Sequence, residues 1–399
     1  MDQGQFPFSA TRAQALAQLR AFLPRAGRAY ALQRNIDEGP GARTHVSQLS
    51  PAIRRRLVTE EEVARAAVAV HGLEAAGKFV AEVLWRSYWR GHLEQRPEIW
   101  RRYLAGLAAA RARLDREPGL AAAYADAVAA RTGIDCFDAW VVELERTGYL
   151  HNHARMSFAS IWIFTLCLPW ELGAGFFFRH LLDACPASNT LSWRWVAGLQ
   201  TVGKTYLASA EIIRRVSQGR FRVDAPLART APVPAPEPPA PRVPLPVHPP
   251  PDPARRTGLW ITTEDLSPET MALPPITAVA AADRIGGDPA PAKRALAERA
   301  LEDACARTAD RWQVPVARLP EPEIEAALLD WAERHRLAQV VTPHAPIGPV
   351  ADRVASARAA LARAGIALVP VLRPFDQRAW PHAGGGFFRF RPHIPALLA

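Results

Sequence analysis

Glu82, Trp85, Arg86 and Trp89 fall on one face of the segment 78–95, KFVAEVLWRSYWRGHLEQ, at helical spacing. An acid beside an aromatic ring on an otherwise apolar helix favours a pocket wall, whereas Trp89 is expected in the core. A denser concentration spans residues 132–195, which begin TGIDCFDAW, continue through TGYLHNHARMSFASIWIF, and close with PWELGAGFFFRHLLDACPASNTLSWRW. Aromatic, amide and charged residues at such close intervals call for a ligand that is itself partly aromatic and partly polar. The loop NIDEGPGARTHVSQLSP, residues 35–51, is rich in small and hydroxyl residues that leave backbone N–H groups free, so it can hold a phosphate.

Other patterns carry less. Gly198 to Thr205 matches GxxxxGK[ST], but Trp-Arg-Trp-Val precedes it where a buried strand is needed, and one helix, from about 206 to 216, follows. The run Gly384, Gly385, Gly386 is expected as a turn. The four cysteines form no CxxC pair and the histidines no metal-ligand spacing, so reduced thiols and no metal site are expected.

The elements that must position these residues follow from periodicity. Up to Val223 the chain reads as almost wholly helical, with apolar residues at helical spacing in Leu16, Leu19 and Leu23 and again in Val63, Ala67 and Val70. Thr59 with Glu62 forms a capping-box pattern that opens the second of these helices. Residues 224–256 are dense in proline and predict a solvated, largely polyproline II linker. Its roughly thirty residues could reach on the order of 90 Å. From 257 to 399 short apolar runs (259–261, 278–280, 314–316, 339–341, 366–371) alternate with helical segments (292–308, 323–335, 349–364), which predicts an open parallel α/β sheet. The expected organisation is a helical domain over 1–223, the linker over 224–256 and an α/β domain over 257–399. No GxGxxG follows the first strand, so a dinucleotide fingerprint is absent.

Composition narrows the function classes. The N-terminus shows no basic stretch followed by an apolar one, and the most apolar run, 158–170, is too short to span a bilayer, so a cytoplasmic protein is expected. The formal charge of +10 is concentrated up to Val223, where 29 lysines and arginines face 20 acids, against 20 and 19 beyond it. A polyanionic partner would therefore meet the helical part.

The motifs, taken in order, resemble those of the photolyase/cryptochrome family over roughly residues 10–197. Tyr30, Gln33 and Arg34 match its Tyr-x-x-Gln-Arg motif, and Val46, Ser47, Gln48, Leu49, Ser50 and Pro51 its Thr-Ser-Arg-Leu-Ser-Pro loop. Glu82, Trp85 and Arg86 match Glu-x-x-Trp-Arg-Glu, the segment 147–156 matches Thr-Gly-x-x-His-Asn-Arg-x-Arg-Met, and Asp183, Cys185, Asn189, Trp193 and Trp195 match Asp-x-Asp-x-x-x-Asn-x-x-x-Trp-x-Trp.

The resemblance implies an FAD cofactor held by Tyr30, Ser47, Gln48, Leu49 and Ser50 at its diphosphate. Asn152, Arg155, Asp183, Cys185 and Asn189 would surround its ring system. It implies light-driven splitting of cyclobutane pyrimidine dimers in DNA by an electron from excited FADH⁻, with Trp193 and Trp170 as inner members of a photoreduction chain. Arg34, Glu82, Trp85, His153, Met156 and Trp195 would meet the substrate, and Met156 replaces the histidine of (6-4) photolyases. The alternative it carries is a cryptochrome-like blue-light sensor that binds FAD without repair. Departures are His153 for an arginine, Val46 and Gln48 for the loop's Thr and Arg, and Cys185 for an aspartate. The C-terminal part is similar to the family's α/β antenna domain, placed after the flavin domain by a circular permutation. An antenna chromophore is compatible with it, although the usual arginine near its first turn is absent.

Overall fold

The computed structural model describes residues 8–201, 204–232, 234, 237–282, 288–320 and 322–399. The start of the N-terminal stretch read above for a leader, and Val202 and Gly203 of the GxxxxGK[ST] match, lie outside the described residues.

Up to Val216 the chain is helical, as expected, in the order α1 (Arg12–Phe22), α2 (Arg28–Gln33), α3 (Ser50–Arg54), α4 (Glu60–Glu94), α5 (Pro97–Leu114), α6 (Pro118–Val128), α7 (Asp135–Thr147), α8 (Asn152–Ser160), α9 (Trp170–His180), α10 (Pro186–Val196) and α11 (Ala210–Val216). Local chemistry sets several of these starts. The Thr59 hydroxyl accepts from the Glu62 N–H while the Glu62 carboxylate accepts from the Thr59 N–H, completing the box read from the sequence. The two helices expected over 59–95 form one 35-residue element, bent where Gly72 takes φ 71° and ψ 159°. The GxxxxGK[ST] match follows α10, a helix and not a strand, so it lacks the framework of a phosphate loop.

Beyond the linker lie β1 (Thr257–Ile261), β2 (Ile276–Ala282), α12 (Pro291–Trp312), β3 (Val316–Leu319), α13 (Ile324–Arg334), β4 (Gln339–Pro343), α14 (Pro349–Arg363) and β5 (Ala367–Val371). The strands are all parallel, in the order β3-β2-β1-β4-β5. Strand alternation divides the side chains between two cores. Leu259, Ile261, Val279, Val341 and Val369 share a core with the helical part, while Trp260, Ala280, Val340 and Leu368 pack with Leu328 and Trp331 of α13 and Leu361 of α14. Both faces are covered, which is why these strands read as near-continuous apolar runs.

The chain then returns to α4 through α15 (Pro374–Ala379), α16 (Phe387–Phe390) and α17 (Ile394–Leu398). Phe375, Trp380, Phe387 and Phe390 join the core of the helical part. Gly384 to Gly386, expected as a turn, instead lead into α16, with Gly386 as its N-cap.

Residues 224–256 contain no helix or strand and no buried residue among those described, as a solvated linker should, but they are tied to the rest of the chain at several points. The Ala228 N–H donates to Thr165 Oγ1 (3.1 Å), Glu237 pairs with Arg194 (2.9 Å), and Arg102 donates to the Pro238 carbonyl (2.6 Å). Further on, the Val243 N–H donates to the Gln95 carbonyl (2.9 Å) and the Asp252 N–H to Gln339 Oε1 (3.0 Å). A proline-rich chain cannot pair with itself, so its carbonyls and few N–H groups are satisfied by the helices it crosses.

A buried ionic network joins the two parts. Arg54 grips Glu264 through two bonds (2.6 and 2.7 Å), Arg56 reaches Asp376 (2.6 Å) and Asp265 (3.3 Å), and Arg373 holds Asp265 through two more (2.6 and 2.7 Å). Burial raises the Asp265 pKa, but Arg373 and Arg56 outweigh it and hold it at about 2. No helix among the described residues is long and apolar enough to cross a membrane.

Candidate functional site

The loop before α3 meets α2, the second half of α4, α8 and α10 around a cavity of about 570 Å³. Of the residues singled out in the sequence, Tyr30, Arg34, Ser47, Gln48, Leu49, Ser50, Glu82, Trp85, Asn152, Arg155, Met156, Asp183, Asn189, Trp193 and Trp195 all line it. They come from segments up to 165 positions apart in number, so the fold and not local sequence assembles them.

Asp183 sits on the floor, 3% exposed, with Arg155 Nη1 at 3.0 Å from Oδ1 and Arg86 Nη2 at 3.9 Å from Oδ2. Burial pushes its carboxyl up, and the two guanidinium groups more than reverse this, so it stays ionised well below the usual range. Arg155 Nε is fixed by the Leu150 carbonyl (2.9 Å). The Asn189 amide nitrogen donates to the Ala174 carbonyl (2.8 Å), which leaves its own carbonyl oxygen to accept from a ligand. Trp193 is buried, and its Nε1 has no hydrogen-bond partner. On the loop side, Gln48 takes φ 53°, a left-handed conformation that non-glycine residues adopt at a cost of order 1–3 kcal/mol and chiefly where a ligand is gripped.

The mouth is of different character. Glu82 and Arg34 pair at 3.5 Å, and burial outweighs Arg34 and Lys78 in raising the Glu82 carboxyl above its usual range. Trp85 lies beside it, packed against Trp89 (5.1 Å between centroids), and Trp195 is 39% exposed with Tyr206 stacked on it (5.9 Å). Trp89 is buried, as expected, but also reaches the cavity wall.

Three singled-out residues lie off the lining. His153 is on α8 with its ring 6.2 Å from that of His151 and with Nδ1 buried and unpartnered. Trp170 packs on Tyr103 (5.6 Å) beneath the Arg194 guanidinium (5.9 Å), whereas Trp193 packs on Phe177 (5.1 Å) and Trp162 (6.3 Å). Cys185 caps α10, its sulfur accepting from the Ser188 N–H (3.3 Å). Burial raises the thiol's pKa, but Arg86, Arg54 and Arg90 outweigh it and hold it below the ordinary thiol value. The structure also adds Arg86, legible as part of the Glu82 motif, and Phe388, which no local signal marks.

The arrangement suits a long ligand with an anionic end at the loop and a planar, hydrogen-bonding end at Arg155, Asp183 and Asn189. Its volume falls within the roughly 300–1,000 Å³ of small-molecule clefts. Residues 79–225 match the model of the FAD binding domain of DNA photolyase. A deoxyribodipyrimidine photo-lyase of Thermus thermophilus is 36% identical over 190 residues, 46% of this chain and 42% of that one. One from a Synechococcus species is 30% identical over 209 residues, covering 49% and 40%. This chain thus spans less than half the length of these curated relatives. A solved cryptochrome from Synechocystis aligns with a TM-score of 0.42 and 19% identity over 53% of this chain and 44% of that one, too loose a match to carry an argument.

Proposed function

We propose that this chain, whose residues 79–225 match the FAD binding domain of DNA photolyase, is a flavoprotein of the photolyase/cryptochrome type that repairs cyclobutane pyrimidine dimers in DNA with light. The observation that carries the reading is one cavity with two ends. Its floor (Arg155, Asp183, Asn189) fits a flavin ring system, and its mouth (Glu82, Trp85, Met156, Trp195) fits an extruded dimer of two neighbouring bases of one strand.

FAD, when bound and reduced, would supply under light the electron that splits the dimer and would recover it once the two bases have separated, so that no net oxidation occurs. Everything else falls to the chain. Ser47, Ser50 and the backbone of the loop hold the diphosphate, with Tyr30 and Gln48 at its side. Arg155 is held in place by Asp183, whose buried charge it balances. Asn189 accepts a hydrogen bond from the ring system without taking a charge. At the mouth, Trp85 and Trp195 offer the ring faces against which a flipped base stacks. Glu82 can hydrogen-bond the dimer's base edges, and Arg34 is placed for a backbone phosphate.

The test is to illuminate the purified, reduced, FAD-loaded protein with an oligonucleotide that contains one cyclobutane dimer. Loss of the dimer only in the light is the expected result, and unchanged dimer content would sink the proposal. A light-sensing role is the second reading, favoured by His153 standing off the cavity where the family's motif has an arginine. It expects flavin photochemistry without DNA affinity.

A further inference from the structure

We propose that Phe388 is a wedge that enters the base stack of duplex DNA and fills the gap left by the extruded lesion; this deepens the repair reading and rests on it. Phe388 is 83% exposed, although its neighbours Phe387 and Phe390 are buried at 5% and 0%. It also lines the mouth of the cavity. What sets Phe388 apart from other exposed apolar residues, such as Leu32 and Val247, is its place at the rim of the ligand site.

The segment that displays it is firmly fixed. The Phe387 ring stacks on Trp85 at 3.8 Å between centroids and 12° between planes. Tyr88 Oη donates to the Gly385 carbonyl (2.8 Å), and Arg96 donates to that of Gly384 (2.7 Å). Phe388 is therefore not a side chain on a loose tail. It stands at a defined distance from Trp85 because the residue before it is stacked there. Arg389 and Arg391 are exposed on the same short segment, so the ring is accompanied by positive charge suited to the phosphates on either side of a gap.

Extruding the two linked bases of one strand leaves a hole in the duplex, and the unpairing and unstacking this requires oppose binding of the lesion in double-stranded form. Apolar side chains inserted between base steps offset the unstacking by restoring stacking contact. A single strand has no such hole. The wedge should therefore matter for duplex substrate alone, which separates it from Trp85 and Trp195 inside the mouth.

The experiment compares the FAD-loaded full chain with its Phe388→Ala and Phe388→Trp variants. Affinity is measured by fluorescence anisotropy for a duplex with one cyclobutane dimer, the same dimer in a single strand, and undamaged duplex. Phe388→Ala is expected to lose on the order of tenfold for the dimer duplex, the scale of one aromatic–base stack. Affinity for the dimer single strand and the flavin spectrum should not change, and Phe388→Trp should retain duplex binding. Equal duplex affinity in wild type and Phe388→Ala overturns the wedge, as does an equal loss on single strand. A change of oligomeric state in place of DNA affinity would assign the ring to contact with a second copy of the chain and overturn it too. A wild-type protein that prefers neither dimer substrate over undamaged DNA sinks the repair reading itself, a result distinct from failure of the wedge alone.

Discussion

At the scale of single residues, the site depends on charges that are expensive to bury and are therefore paired. Asp183 faces both Arg155 and Arg86, so Asp183→Asn leaves two guanidinium groups without their counter-charge at nearly unchanged shape. Removing one partner of a buried pair costs about 3–5 kcal/mol, and the exposure of Arg155 puts this case at the lower end. The variant is expected to melt at lower temperature and to purify with less flavin per chain, both read from one sample by thermal denaturation and absorbance. Cys185 tests a different idea, that a side-chain cap is kept at the start of α10. Cys185→Asp should retain flavin, since aspartate also caps a helix, whereas Cys185→Ala should lose about 1 kcal/mol with the cap. Equal stability of the two variants in urea would remove the argument.

Among the elements, the turn between α7 and α8 carries a tight constraint at the site. Gly148 ends α7 at φ 65°, and a Cβ there would stand 2.6 Å from Leu182 Cγ. Its carbonyl accepts from the Leu182 N–H (2.9 Å), which ties the Arg155 segment to the Asp183 segment. Gly148→Ala should therefore cost about 1–3 kcal/mol and lower flavin content. Gly72→Ala, with open space around it but at φ 71° and ψ 159°, a region essentially reserved for glycine, should cost about 1–3 kcal/mol and leave flavin untouched. Denaturant midpoints read each cost, and flavin absorbance separates the two. This scale is also where the sequence was most legible. The Thr59 and Glu62 box, the helical periods and the apolar strand runs are local signals, and the elements follow them to within a few residues. The ordered motifs likewise named most of the cavity lining. What could not be read is what only distant pairing decides. Nothing in the linker's composition says that Arg102 and Arg194 will take up Pro238 and Glu237. Nothing near Phe388 points to Trp85, some 300 positions earlier. His153, Cys185 and Trp170 illustrate the converse, since a motif position inherits a register in the chain but not a place on the cavity wall.

For the molecule as a whole, the consequence lies in how its two parts are joined. Arg54 meets Glu264 across 210 residues and Arg56 meets Asp376 across 320, and the same core runs through both parts. The α/β part is thus fixed to the helical part through a buried ionic junction, and acid should loosen it. Asp265 is fully buried with a pKa of about 2, below the ordinary carboxylate value, because Arg373 and Arg56 outweigh its burial. A depressed pKa contributes stability that is complete above about pH 4 and is lost as the pH falls through 2, here about 2 kcal/mol from this one group. Glu264, also buried and also held low by Arg54, acts in the same direction. Asp376 opposes them: burial outweighs Arg56, Glu60 adds to it, and its raised pKa lets it take up a proton earlier. Two depressed carboxylates against one raised one leave a net loss of stability on acidification. Melting temperature should therefore be flat from about pH 7 to about 4.5 and fall steeply below it. In Asp265→Asn it should start lower, since Arg373 and Arg56 lose a partner, and decline less between about pH 4 and 2. A variant whose acid-induced fall matches that of wild type would show that the junction is not where the protein yields.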